Sequence, residues 1–567
     1  MKQTTNWLEL ITNTKKFALI GLLLACITNP LFSQDFLLTT LQSELQKNSQ
    51  KLEATNTPPY YTEYRLIEFN NEVIKTSKGS LIDSQTGKRR IFTPKIRIGS
   101  YQFDNTYSMG NKVGFGFIFP TLLPIEDSLL AFQQLISSAT DAAYKIALEG
   151  YAAALNDSSK ATEPIAPCFT QEAAEIFYEP ALNDVVSIKN LENELKTATK
   201  TFAFDDDILT SEASLMHYYS REYLLNTEGT SIVQNDERFE LHLEFVVRCD
   251  DGKLIPYIKS FKGRKLEEIP IKDSLRNELN KILALLAQLK KASAAEPYTG
   301  PAILSAEASG VFFHEIFGHR IEGHRLRSTT DSQTFKDQLT KEILPKFLSI
   351  SFDPTIQQYD GHTLLGHYIY DSEGVKAKKV QAVDKGIFKE YLMCRLPSEG
   401  ITHSNGHGRS VVGSDAVSRQ SNMFVTSSKQ YTNEELRKML VSECKRSKKE
   451  YGYFFKEVSG GFTGTSRYTP NVFNIIPLVV YKVFTDDRPD ELVKGVSLIG
   501  TPLAMFAEIK ACGDKSATFN GYCGAESGMI PVSTISPAML VNKIETQRQI
   551  EVPKTKNQLP SPINTNK

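Results

Sequence analysis

Apolar positions recur along this chain with two different periods. In Phe36–Ala54, Leu37, Leu38, Leu41 and Leu45 fall on one side of a helix, and residues 125–156 and 275–292 carry similar helical patterns. Residues 61–69, 95–103 and 239–247 instead alternate apolar and polar side chains, as half-buried strands do. Helices and strands mix as far as about Leu289, which predicts one N-terminal α/β domain over residues 35–295. Beyond Tyr298 the pattern is mostly strands, at about 364–370, 375–383, 387–393, 473–484 and 494–499, with Gly-rich turns between them. The expected class is α+β, with a β-rich C-terminal domain over residues 296–550. Within it, Ala507–Ala511 reads as a short helix ending at Cys512, stopped by Gly513. Cys523 reads as part of a Gly-bracketed loop ahead of extended Met529–Val532.

The two ends read differently. Lys15 and Lys16 precede an apolar run, Phe17–Ile27, that is too short to span a bilayer comfortably, and Pro30 breaks it before Ser33. Residues 1–34 are therefore expected to be a signal peptide. Leu23-Leu24-Ala25-Cys26 also resembles a lipobox, which would place a lipid anchor on Cys26. The expected location is exported, periplasmic or secreted, with an uncleaved anchor or a cytoplasmic location as alternatives. Residues 551–567, with three prolines and several Asn and Lys, read as a disordered tail.

Composition narrows the function. With 567 residues, 41% apolar and 23% charged, the chain has room for more than one globular domain. A net charge of −1 gives no support to nucleic-acid binding. Six cysteines after residue 34 are too few for a disulfide framework in a chain this long.

The candidate chemistry lies in Val311–His324, where three of the nine histidines fall within eleven residues and two glutamates accompany them. Imidazoles bind zinc, and a glutamate beside them can act as general base. The familiar helical motif is H-E-x-x-H. Here His314-Glu315 and His319 are one residue further apart, so the two imidazoles would point about 140° apart on an ideal helix. A shared metal therefore requires a bulge or a helix end between them, and Gly318 would ease that distortion. A catalytic zinc usually takes a third protein ligand. Cys523 and Cys512 are both candidates by residue type. His242, His362, His367 and His403 lack an adjoining glutamate and read as structural or surface residues.

These residues carry a resemblance to the TldD/PmbA metallopeptidase family. Its signature, H-E-x-x-G-H-x-x-E-G, is matched by His314, Glu315, Gly318, His319, Glu322 and Gly323. Asp371–Val375 resembles its D-D-E-G-V element, Gly386–Leu392 a G-x-L-K-x-Y-L strand, and Val493–Gly500 its V-K-G-x-T/S-L-I-G. Gly521–Val532 is similar to G-x-C-G-K-x-G-Q-x-x-P-V, whose cysteine is a zinc ligand, and this selects Cys523. A thiolate is also disfavoured at Cys512 if that residue ends a helix. Two departures stand out: Ala525-Glu526-Ser527-Gly528 replaces K-x-G-Q, and His324 stands where an aspartate is common.

The resemblance implies zinc held by His314, His319 and Cys523, with Glu315 activating water for attack on a peptide carbonyl. It implies Glu322, His407 and Arg409 at the substrate. It also implies extended or unfolded peptide substrates and a dimer, either homodimer or heterodimer with a homologue. Two other readings compete. One is a non-catalytic peptide-binding partner subunit, as in the PmbA-type half of the family, which lacks the metal motif. The other is a zinc hydrolase of another amide in the cell envelope.

Mass spectrometry of the native N-terminus tests the export reading. A mature chain beginning near Gln34, or at a lipid-modified Cys26, is the expected result, and an intact Met1 on soluble cytoplasmic protein contradicts it.

Overall fold

A computed structural model describes residues 35–107, 120–158, 167–183, 186–328, 330–398, 400–468 and 473–548. The expected signal segment, the lipobox at Cys26 and the expected tail lie outside these residues.

The first half is built on long strands. Helix α1 (Phe36–Glu53), capped by the Asp35 carboxylate on the Leu38 amide, leads into a hairpin of β1 (Pro59–Ser77) and β2 (Ser80–Ile98). Helix α2 (Leu129–Ser158) returns across the sheet, and its Phe132 and Ile136 pack with Leu38 and Leu41 of α1 over Tyr64 and Phe92. Strand β3 (Ile208–Asn226) pairs antiparallel with β1, β4 (Ser231–Arg248) with β3, and β5 (Leu254–Gly263) with β4. Helix α3 (Asp273–Lys291) buries Leu275, Leu279, Ile282, Leu286 and Leu289 along one stripe. Each such side chain contributes roughly 1.5–3 kcal/mol of gross burial energy.

The second half begins with β6 (Thr299–Leu304), which runs directly into α4 (Ala306–Ile316). Next come β7 (Leu348–Phe352), β8 (Val380–Asp384) and β9 (Asn422–Ser427), then helix α5 (Asn433–Arg446). Strands β10 (Tyr451–Thr463), β11 (Phe473–Phe484), β12 (Ile509–Ala525) and β13 (Gly528–Arg548) complete the framework. The spatial order is β8–β7–β9–β13–β6–β10–β11, with β12 folded back on β13 as a hairpin. Helix α4 packs on β13, β10 and β12, so the His-Glu segment is enclosed by the longest strands of the domain.

Several elements depart from the sequence expectation for identifiable reasons. The strand expected over 95–103 stops at Ile98 because Gly99, at φ +114°, turns the chain back and the Ser100 amide bonds the Phe103 carbonyl. The strand expected at 364–370 is irregular, and those at 375–383 and 387–393 shrink to Val380–Asp384 and Ile387–Phe388. Here a buried side chain replaces the neighbouring strand: the amides of Glu373, Val375 and Gly408 all donate to the Asp371 carboxylate. The run at 494–499 is broken at Gly495, which has φ +73°. The Gly-rich Ser459–Thr463 forms the end of β10. The helix expected at 507–511 lies earlier, at Pro502–Ala507, and Cys512 is in β12.

The two sheets are joined by buried charge. Arg395, 1% exposed, donates to the Thr170 carbonyl and to Glu228 at 2.7 Å, with its guanidinium 3.9 Å from the Phe169 ring centroid. Replacing it by methionine leaves a nearly buried carboxylate without its cation. Arg395→Met is expected to lower the unfolding free energy by about 3–5 kcal/mol in chemical denaturation. An unchanged midpoint and slope would show that this pair does not hold the halves together.

Candidate metal centre

Helix α4 has no polar face. Ser305 caps it by accepting from the Ala308 amide at 3.1 Å, and every residue from Ala308 to Ile316 is buried. Gly310 is required by close approach, since a Cβ there would lie 2.4 Å from the Thr534 hydroxyl of β13. The helix ends at Ile316, Phe317 takes φ −118° and ψ −55°, and Gly318–Arg320 forms a single 3₁₀ turn. This helix end brings the two histidines together: their ring centroids are 5.0 Å apart and their planes cross at 86°. Gly318 has no positive φ. Its role differs from the conformational one expected, because a Cβ at this position would fall 1.8 Å from the Gln420 amide oxygen.

Cys523 completes the cluster from a strand, not the expected loop. It lies in β12 opposite Ile530 of β13, 2% exposed, with Sγ 3.4 Å from His319 Nε2. The donor atoms of His314, His319 and Cys523 all lie within 4.8 Å of one another. Cys512 belongs to the apolar core, where burial pushes its thiol up to about 12.

A layer of buried polar groups aims these donors. Glu322, expected at the substrate, is fully buried behind His319, 3.3 Å from its Nδ1, leaving Nε2 to face Cys523. Arg325 donates to Glu322 at 3.0 and 2.7 Å. Burial opposes ionisation of Glu322, yet His319 and Arg325 hold its pKa down at about 2. Arg419 donates to the Cys523 carbonyl at 2.6 Å and to Ser527 at 2.7 Å, clamping the β12–β13 turn. The Gln420 amide donates to the His314 carbonyl at 3.3 Å. The two departures from the family pattern meet: His324 Nε2 bonds the Glu526 carboxylate at that turn, and Arg325 also reaches Glu526. Arg419 and Gln420 were not anticipated, because Ser418–Asn422 is a polar run that reads as a loop although its five residues are fully buried.

The electrostatics favour a ligand sulfur. Burial opposes the Cys523 thiolate, but His319 and His314 hold its pKa well below that of a free thiol. Burial pushes the Glu315 carboxyl up, against the pull of His314 and His319, and its Oε2 is buried with no hydrogen-bond partner. Gly461 of β10 lets that strand pass close to Glu315, since a Cβ would lie 2.8 Å from its Cγ.

The donor set fits zinc. With bonds of about 2.3 Å to sulfur and 2.0 Å to nitrogen, tetrahedral ligand atoms stand ~3.5 Å apart, close to the observed 3.4 Å. Three protein donors would leave one position open for chemistry.

His407 is fully buried and bonds Ser421 and the Asn405 carbonyl; burial pulls its pKa down to about 3, so it is neutral. Arg409 is also buried, and its Nη1 donates to the Gln420 carbonyl at 2.6 Å. His242 bonds Glu240 and Ser260, His367 bonds the Pro354 carbonyl, and none of the remaining histidines joins the cluster among the described residues.

Residues 297–548 match the PmbA/TldA metallopeptidase C-terminal domain. A metalloprotease of Methanocaldococcus jannaschii is 25% identical over 329 residues, 58% of this chain and 68% of that protein. A zinc metalloprotease TldD homologue of Saccharolobus solfataricus is 23% identical over 374 residues, 65% of this chain and 76% of that protein. The crystal structure of TldE from Thermococcus kodakarensis superposes with a TM-score of 0.60 at 12% identity, covering 89% of this chain and 99% of that one.

The geometry separates the two cysteines. Cys523→Ala is expected to abolish stoichiometric zinc binding after loading and dialysis, as is His319→Ala, whereas Cys512→Ala keeps its zinc. Metal analysis giving the reverse order for the cysteines would move the site to Cys512.

Proposed function

This chain belongs to the TldD/PmbA family of metallopeptidases, and on that premise we propose that it is a zinc-dependent peptidase acting on extended or unfolded peptide segments. The observation that carries the reading is the unpartnered Glu315 carboxyl oxygen beside three converging donors. A buried acceptor without a partner costs free energy and suits a group that takes a proton during a reaction. The PmbA-type alternative, a partner subunit without the metal motif, fits poorly because every donor is retained.

Zinc held by His314, His319 and Cys523 supplies Lewis acidity toward a water molecule and a peptide carbonyl. Glu315 then takes the proton from the attacking water as its oxygen bonds the carbonyl carbon. It delivers a proton to the departing amine as the C–N bond breaks, so the carboxylate is regenerated. The raised pKa expected of a buried carboxyl suits both steps. Glu322 fixes the His319 ring through Nδ1 during this cycle. Extended substrates are favoured because His314, Glu315, His319 and Cys523 are each no more than 8% exposed. A folded surface cannot reach them, while a single strand of peptide can be drawn in.

Glu315→Gln separates binding from chemistry. The variant should retain zinc and lose peptidase turnover by about 10²–10⁴-fold. Full activity in this variant would remove Glu315 from the mechanism.

A further inference from the structure

A cleft of about 680 Å³ lies between the N-terminal sheet and the C-terminal domain. Ile530, the cross-strand partner of Cys523, lines it, and so does Arg409. Arg409 is 7% exposed, yet it has no carboxylate partner among the described residues. The other arginines of the cleft differ: buried Arg65 pairs with Glu222, while half-buried Arg238 and Arg264 share Asp236. Among the described residues Arg409 makes one hydrogen bond, to the Gln420 carbonyl, which leaves further N–H donors of its fork for a ligand. Its guanidinium lies over the Tyr368 ring at 4.7 Å, and the Tyr368 hydroxyl is tied to the Gly406 carbonyl. Burial pulls its pKa down to about 10, so it stays a cation at neutral pH. A guanidinium held at a cleft wall without an ion-pair partner in contact is suited to meet an incoming anion.

We propose that Arg409, stacked on Tyr368 at the cleft wall, is a subsite for a carboxylate of the peptide substrate. The planar guanidinium can receive both carboxylate oxygens through paired N–H donors. The same Gln420 that accepts from Arg409 donates to the carbonyl of His314, so the subsite is one side chain removed from a metal ligand. Two sources supply that chemistry: the α-carboxylate of a peptide C-terminus, or an Asp or Glu side chain. The assignment of peptide as ligand rests on the proposed function; the carboxylate preference is a separate claim.

The test measures binding, not turnover, on the zinc-loaded full chain carrying Glu315→Gln. One peptide lacking acidic side chains is titrated calorimetrically in three forms: free acid, C-terminal amide, and the amide with one glutamate introduced. The free acid, or the glutamate form, is expected to bind at least about tenfold more tightly than the plain amide. Whichever form gains affinity identifies the source. Adding Arg409→Gln should erase the preference. Arg409→Lys, which keeps the charge and loses the fork, should reduce it severalfold, and it serves if the glutamine variant fails to fold. Equal affinity for all three forms, or a preference unchanged by the Arg409 variants, overturns the subsite. A preference that persists when the unmutated Glu315 protein hydrolyses none of the peptides overturns the peptidase reading and leaves the subsite standing. No binding of any form overturns both.

Discussion

The site depends on one event in the backbone, the end of α4 immediately after Ile316. Five residues along a continuous α-helix separate two side chains by about 140°. The 3₁₀ turn over Gly318–Arg320 removes that divergence and lets His319 face His314 and Cys523. Nothing local in Phe317 or Gly318 compels the break by a positive φ. It is held from outside: Gln420 occupies the space that a side chain at position 318 would take, and Arg320 donates to the Glu315 carbonyl. The β12–β13 hairpin then supplies the sulfur from a strand whose register fixes its height.

Holding a reactive cluster this deep requires charge in the interior. Glu322, Arg325, Arg419 and His324 are buried and contact one another or the more exposed Glu526. Desolvating such groups costs several kcal/mol per ion, offset only when every charge has partners of good geometry. His324 and Glu526, at two positions that depart from the family pattern, bond one another within this network. The same reasoning singles out Arg409, a buried cation with no ion-pair partner in contact among the described residues.

Much of the site was legible in the chain. The extra residue between His314 and His319 already demanded a helix end or bulge, because helical geometry forbids a shared ligand otherwise. Cys523 was selected by the resemblance of Gly521–Val532, not by local structure, and its expected loop proved to be a strand because pairing with Ile530 dominates over its flanking glycines. Helices α1, α2 and α3 were readable from periodicity because each buries one stripe. The irregular chain around Asp371 was not, since its carboxylate takes the amides of Glu373, Val375 and Gly408, which no alternation pattern records. Arg419 and Gln420 were hidden for the same reason: polar residues buried by tertiary contacts look like a solvated loop in one dimension.

The central claim is that His314, His319 and Cys523 bind one zinc ion together. Zinc-edge X-ray absorption on the purified, zinc-loaded protein tests it most directly. The account predicts one sulfur scatterer at about 2.3 Å and imidazole nitrogens at about 2.0–2.1 Å. A shell of nitrogen and oxygen with no sulfur would contradict it, and would place the metal elsewhere than between these three residues.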